Sequence, residues 1–246
     1  MMNNYLQAAV LITTCLCAAS AKADSEGESD QETSPRYKLM ISDYSAEGLN
    51  AKDINMRAKF GDQAVWLAYY EERPSHFNQV RTGYERTDKW ERLKTVSSIQ
   101  AADYGFFGAS ATAEIGGPVH AIVGYGRTNL KPYDNINFDP NDSVTWGAGW
   151  EKAEGEDVAL YRVRDNRVVK GQQIDHLLVH LPVHGDKLII DVFNKSGTRD
   201  AEGKSINATG MALGYEWDKY FVRAAYDPKV NFTQTYMSRL SVGFYF

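Results

Sequence analysis

The residues Tyr236-Met237-Ser238-Arg239-Leu240-Ser241-Val242-Gly243-Phe244-Tyr245-Phe246, at the C-terminus, alternate large apolar side chains with small or polar ones. Successive side chains of an extended strand point to opposite faces. Tyr236, Leu240, Val242, Phe244 and Phe246 therefore share one face, and Arg239, Ser241 and Gly243 the other. A terminal strand with a wholly apolar face needs a matching surface, because chain ends otherwise fray. A bilayer supplies that surface to a closed barrel, in which lipid-facing and lumen-facing residues alternate.

From Tyr37 onward the chain reads as alternating segments close to the ~9–11 residues that a tilted strand needs to cross a bilayer. Strands are expected at 37–45, 53–60, 64–72, 78–87, 90–101, 105–115, 119–128, 143–152, 157–165, 172–182, 187–195, 205–217, 219–227 and 236–246. The fold class is all-β: a closed antiparallel transmembrane β-barrel of fourteen strands. Twelve is the alternative, because Ser42 and Asp43 weaken the alternation of the first segment. Tight connections at Gly61-Asp62, Asp88-Lys89, Gly116-Gly117-Pro118, His184-Gly185-Asp186 and Asp218-Lys219 alternate with longer ones such as 129–142, 196–204 and 228–235. Bacterial barrels keep short turns on the periplasmic side and longer loops outside.

Three regions are expected along the 246 residues. The apolar run Leu6–Ala21, followed by Ala21-Lys22-Ala23, marks 1–23 as a secretory signal peptide. Residues 24–35 are acidic, lack bulky apolar side chains and form a loose tail, and 36–246 form the barrel. Cys15 and Cys17 both lie in the leader, so neither a disulfide framework nor a cysteine site is expected in the mature chain. A formal net charge of -5 gives no reason to expect nucleic acid as partner.

A terminal Phe246 preceded by Phe244, Val242, Leu240 and Tyr236 resembles the closing strand of Gram-negative outer-membrane β-barrels, the segment their assembly machinery reads. The resemblance implies the cell outer membrane as location. It also implies outer-membrane lipids, lipopolysaccharide and the barrel assembly machinery as partners, with those five residues as the assembly signal. It names no specific family and leaves the oligomeric state open.

Parity turns Arg57, Lys59, Arg81, Arg92, Lys94, Arg162, Arg164, Arg223 and Arg239 inward, alternating with Glu85, Glu114, Glu151, Asp191 and Glu216. Of these, Arg57, Lys59, Arg81, Glu85, Glu114, Arg162, Arg223 and Arg239 are the candidate lumen-lining residues. Base outnumbers acid in this set, so a water-filled bore favours anions. The expected function is a porin-like passive channel for small hydrophilic solutes, with no cofactor; ion pairing across the lumen is the competing structural role.

The residues also bear on two other functions. A lipid-modifying hydrolase needs a nucleophile beside a base: His176 or His180 with Ser110 or Ser143 and with Asp191 is the best arrangement the chain offers, and no local motif supports it. A closed structural or adhesion barrel expects a lumen filled by paired Arg and Glu. The Asx-rich stretch with Asp134, Asp139 and Asp142 holds oxygen ligands suited to Ca²⁺, but it lacks EF-hand spacing and reads more simply as turn chemistry. No metal is therefore expected.

Overall fold

The computed structural model describes residues 36–129, 143–152, 156–165, 171–197 and 204–246. The leader 1–23, the acidic tail 24–35 and the segment holding Asp134, Asp139 and Asp142 lie outside the described residues.

Fourteen strands follow in order: β1 (Arg36–Ala46), β2 (Leu49–Phe60), β3 (Gln63–Arg73), β4 (Asn78–Trp90), β5 (Leu93–Ala102), β6 (Phe106–Gly116), β7 (Val119–Thr128), β8 (Ser143–Glu151), β9 (Asp157–Asp165), β10 (Gln172–Val183), β11 (Asp186–Gly197), β12 (Ile206–Trp217), β13 (Tyr220–Asp227) and β14 (Met237–Tyr245). Each pairs antiparallel with its sequence neighbours, and β14 closes onto β1. Closure satisfies every strand edge, which is what a barrel in lipid requires.

The first strand is a full member of the sheet despite its weak alternation. Its outward Asp43 lies directly across from Lys52, so the polar interruption is matched by opposite charge. At the seam Ser42 Oγ and Ser241 Oγ are 2.8 Å apart and buried. Tyr37 and Phe246 exchange backbone hydrogen bonds of 2.9 and 3.0 Å.

Both ends of the described chain lie at one end of the barrel, together with the tight turns at 61–62, 91–92, 117–118, 184–185 and 218–219. This is the turn end; the opposite rim is the loop end. Two connections differ from expectation. The first is only Glu47-Gly48, with Gly48 at φ +74, and β2 begins at Leu49 because Leu49–Lys52 pair with Ala46–Asp43. The β4–β5 turn is Glu91-Arg92, two residues beyond Asp88-Lys89, because Asp88, Lys89 and Trp90 pair with Thr95, Lys94 and Leu93. Arg92 therefore belongs to a turn.

Outside the barrel, Leu67, Ile99, Val119, Leu160, Leu240 and Val242 are all exposed. Removing such a side chain from water is worth about 1.5–3 kcal/mol, so a whole sheet face of them belongs in lipid. Aromatic rings mark the edges of this surface: Trp217 and Tyr220, 6.2 Å apart, and Phe244 and Phe246, 5.4 Å apart, at the turn end, and Tyr226 and Tyr236, 6.2 Å apart, near the loop end. Amphipathic rings prefer the headgroup level.

Candidate functional site

The inner face gathers ionisable groups from many strands among the described residues, and it divides into two halves. In the turn-end half, side chains are partly exposed and tied into pairs between adjacent strands or, for Arg57 and Glu85, across the intervening β3. Arg57 Nη1 donates to Glu85 Oε1 at 3.2 Å, with a second contact between Nη2 and Oε2. Lys94 Nζ donates to both oxygens of Glu114 at 2.9 and 3.1 Å. Arg223 Nη2 donates to Glu216 Oε1 at 2.8 Å. Lys59 lies in the same half, directly across from Arg36.

In the loop-end half the lumen is packed. The Arg81 guanidinium, 1% exposed, is ion-paired with Asp53 and stands 5.5 Å from the Tyr70 ring. Lys195 Nζ, at 2.5 Å from Asp227 Oδ1, also approaches the Lys229 carbonyl at 3.5 Å. The connection after β13 turns inward as a short 3-10 segment, Val230–Phe232, and Phe232 joins Ile174, Phe193 and Ile206 in an apolar cluster. Gly210 makes this possible, since a Cβ there would overlap the Phe193 ring. Arg239 faces inward across from Tyr44 and Ala225, and its buried Nε and Nη1 have no hydrogen-bond partner among the described residues.

Arg57, Lys59, Arg81, Glu85, Glu114, Arg223 and Arg239 thus all lie on the inner face. Arg162 does not. It pairs across from Trp146 and Asp175, shares its side of β9 with Leu160 (62% exposed), and donates from Nε to Asp175 Oδ1 at 2.5 Å on the barrel exterior. Arg164, two residues on, has the same parity. The sequence Asp157-Val-Ala-Leu-Tyr-Arg-Val-Arg-Asp165 offers charge on both parities. Register decides: Leu160 faces outward between Leu177 and Ala148, while Tyr161 is buried inside against His176. An outward arginine is tolerated there because it lies near the loop end, beyond the apolar band.

His176 and His180 line the inner wall, and among the described residues no serine is bonded to either. His176 Nδ1 is 3.0 Å from Asp191 Oδ1, and its ring stacks on Tyr161 with centroids 4.7 Å apart. His180 Nδ1 is 2.7 Å from Asp157. Asp191 orients His176 as expected, but His176 Nε2 has no hydrogen-bond partner among the described residues and Ser110 Oγ is engaged with Ser98 Oγ at 2.8 Å. The Ser–His–Asp arrangement is not brought together.

Asp53, Lys195 and Asp227 escaped the sequence reading. Lys195 was within reach of it, because counting on from inward Asp191 by twos gives Phe193 and Lys195.

No protein-family model matches the chain, and no curated protein matches it significantly. Among solved structures it is similar to the outer membrane protein Omp33 of Acinetobacter baumannii, with a TM-score of 0.55 at 11% identity over 88% of this chain and 100% of that one. Weaker likenesses are to OccK10 (OpdN) of Pseudomonas aeruginosa (TM-score 0.44, 7% identity, 88% and 99% of the two chains) and to the KdgM porin (0.39, 7%, 84% and 98%). At such identity the likeness to Omp33 is one of architecture: the chain has the fold of an outer-membrane β-barrel, closed by fourteen antiparallel strands.

Proposed function

We propose that the protein is an outer-membrane channel that passes small hydrophilic solutes and favours anions. The observation that carries this reading is the inner face itself: a closed barrel, apolar outside, whose turn-end interior holds partly exposed Arg57, Lys59, Lys94 and Arg223 with fewer acids than bases. A wall built of charged side chains is stable only where water reaches it or partners compensate it. The packed loop-end half sets the size limit, so the cargo is small. Lipopolysaccharide and phospholipid are the surrounding lipids. The closing strand, through Tyr236, Leu240, Val242, Phe244 and Phe246, is the signal for the barrel assembly machinery.

Purified protein in planar bilayers under a KCl gradient tests the reading. Steady single-channel steps with an anion-directed reversal potential are expected, and no current above the lipid background removes it. A second reading is favoured by the complete burial of Lys195 and Gln79 and by the Arg81–Asp53 pair: a barrel shut at this level, serving a structural role. Current through the native protein rules that one out.

A further inference from the structure

The turn end sets cation against cation on two ladders, and its strands supply carboxylates for only some of them. Three pairs of cations face each other directly across ladders on the inner wall: Arg36 and Lys59, Lys38 and Arg57, and Lys89 and Lys94. Like charges in that relationship destabilise a sheet. Arg57 and Lys94 are compensated by Glu85 and Glu114. Lys38 and Arg36 each sit 4.3 Å over an aromatic ring, of Phe221 and Tyr245 respectively. Lys59 is left among cations: Lys89, Arg57 and Arg36 all act on it, against Asp62 alone of opposite sign. Among the described residues no carboxylate lies within ion-pair distance of Lys59, Lys89 or Arg36.

Immediately before Arg36 the chain reads Asp24-Ser-Glu26-Gly-Glu28-Ser-Asp30-Gln-Glu32-Thr-Ser-Pro35. Its five carboxylates recur at every second position, so in an extended chain they share one side. Their spacing, about 6.6–7 Å, equals that between Arg36 and Lys38 or between Arg57 and Lys59 along their strands. At up to ~3.5 Å per residue, Glu32 reaches about 14 Å from Arg36 and Asp24 about 40 Å. The barrel mouth is about 25–30 Å across on strand spacing and tilt. The acidic segment can therefore reach every cation of the array.

We propose that the basic array at the turn-end mouth binds an acidic peptide, and that its occupant is the chain's own segment 24–35. The segment threads along Arg36, Lys59 and Lys89 as a tethered counter-anion. Where the channel reading holds, it also screens the mouth and weakens anion preference; the binding itself does not depend on that reading.

The test compares the full chain with a full-length variant carrying D24N, E26Q, E28Q, D30N and E32Q, both folded in detergent. Acetylation rates of individual lysines by an N-hydroxysuccinimide ester are read by mass spectrometry, with the outward, loop-end Lys52 as internal standard. At ~0.1 M salt Lys59 and Lys89 should react several-fold faster in the variant, and the difference should collapse at ~1 M, where the Debye length falls from about 10 to about 3 Å. Equal rates at low salt overturn the proposal. So does protection that persists in the variant and yields only to salt, which would assign the array to a soluble or lipid anion. Because acetylation reads binding without current, a silent bilayer recording sinks the channel reading alone.

Discussion

Lys195 Nζ lies 2.5 Å from Asp227 Oδ1 inside the barrel, and no part of the lysine reaches solvent. The two are brought together from β11 and β13 across Gly210, which lies directly opposite Phe193 on β11. Removing one member of a buried pair strands the other charge, at a cost of about 3–5 kcal/mol, whereas replacing both with apolar groups is often neutral. Lys195→Met should lower stability by that amount in urea unfolding from lipid vesicles, and Lys195→Met/Asp227→Leu should recover most of it. Equal losses in the single and double variants would show that the pair is not coupled.

Phe232 holds the inward-turned segment after β13 against Ile174, Phe193 and Ile206. Phe232→Ala deletes the ring that fills this cluster, with an upper cost of about 3–5 kcal/mol. Because the segment lies over the lumen, its release should raise single-channel conductance as well. An unchanged conductance in a folded variant would place the narrowest point elsewhere.

The Arg57–Glu85 pair sits inside the turn-end mouth and the Arg162–Asp175 pair outside the barrel. Glu85→Gln should move the reversal potential further toward anions and Arg57→Glu toward cations, more strongly at ~0.1 M than at ~1 M salt because screening shortens the reach of each charge. Arg162→Ala should leave selectivity as it was. A selectivity shift in Arg162→Ala comparable to that in Arg57→Glu would contradict the register of β9.

Val242 lies on the lipid side, across from Ile41 and Val222, while Ser238 lies on the same side near the loop end, across from Ser45 and Tyr226. Arginine on the lipid face costs about 2–4 kcal/mol at the midplane and about 0–1 near the interface. Val242→Arg should therefore destabilise the folded barrel in vesicles far more than Ser238→Arg. Similar costs at the two positions would mean that this face does not cross a bilayer.

How far the lumen could be read in advance depended on each strand's pattern. On β4, and on β2 from Ile54 onward, the large apolar residues keep one parity, and on β13 only Phe221 and Ala225 break it, so Arg57, Lys59, Arg81, Glu85 and Arg223 could be placed inside without a structure. On β9, Val158 and Leu160 favour one parity and Tyr161 and Val163 the other, and counting charges chose wrongly for Arg162. The partners were less legible than the faces. Asp53 with Arg81 and Asp227 with Lys195 meet across strands whose stagger appears nowhere in the local sequence.

The sequence by itself determined the class of fold, because a period of two sustained over so many segments admits only a surface that is oily on one side and wet on the other. It also determined the strand count to within two and the end at which the tight turns gather. Only the tertiary structure decided which charges compensate each other, that the loop-end half of the lumen is packed, and that cations oppose cations at the turn-end mouth. Alternation is a one-dimensional property that every strand carries alone. Charge pairing depends on register between strands and on closure of β14 onto β1, which bring together residues as far apart as Ser42 and Ser241.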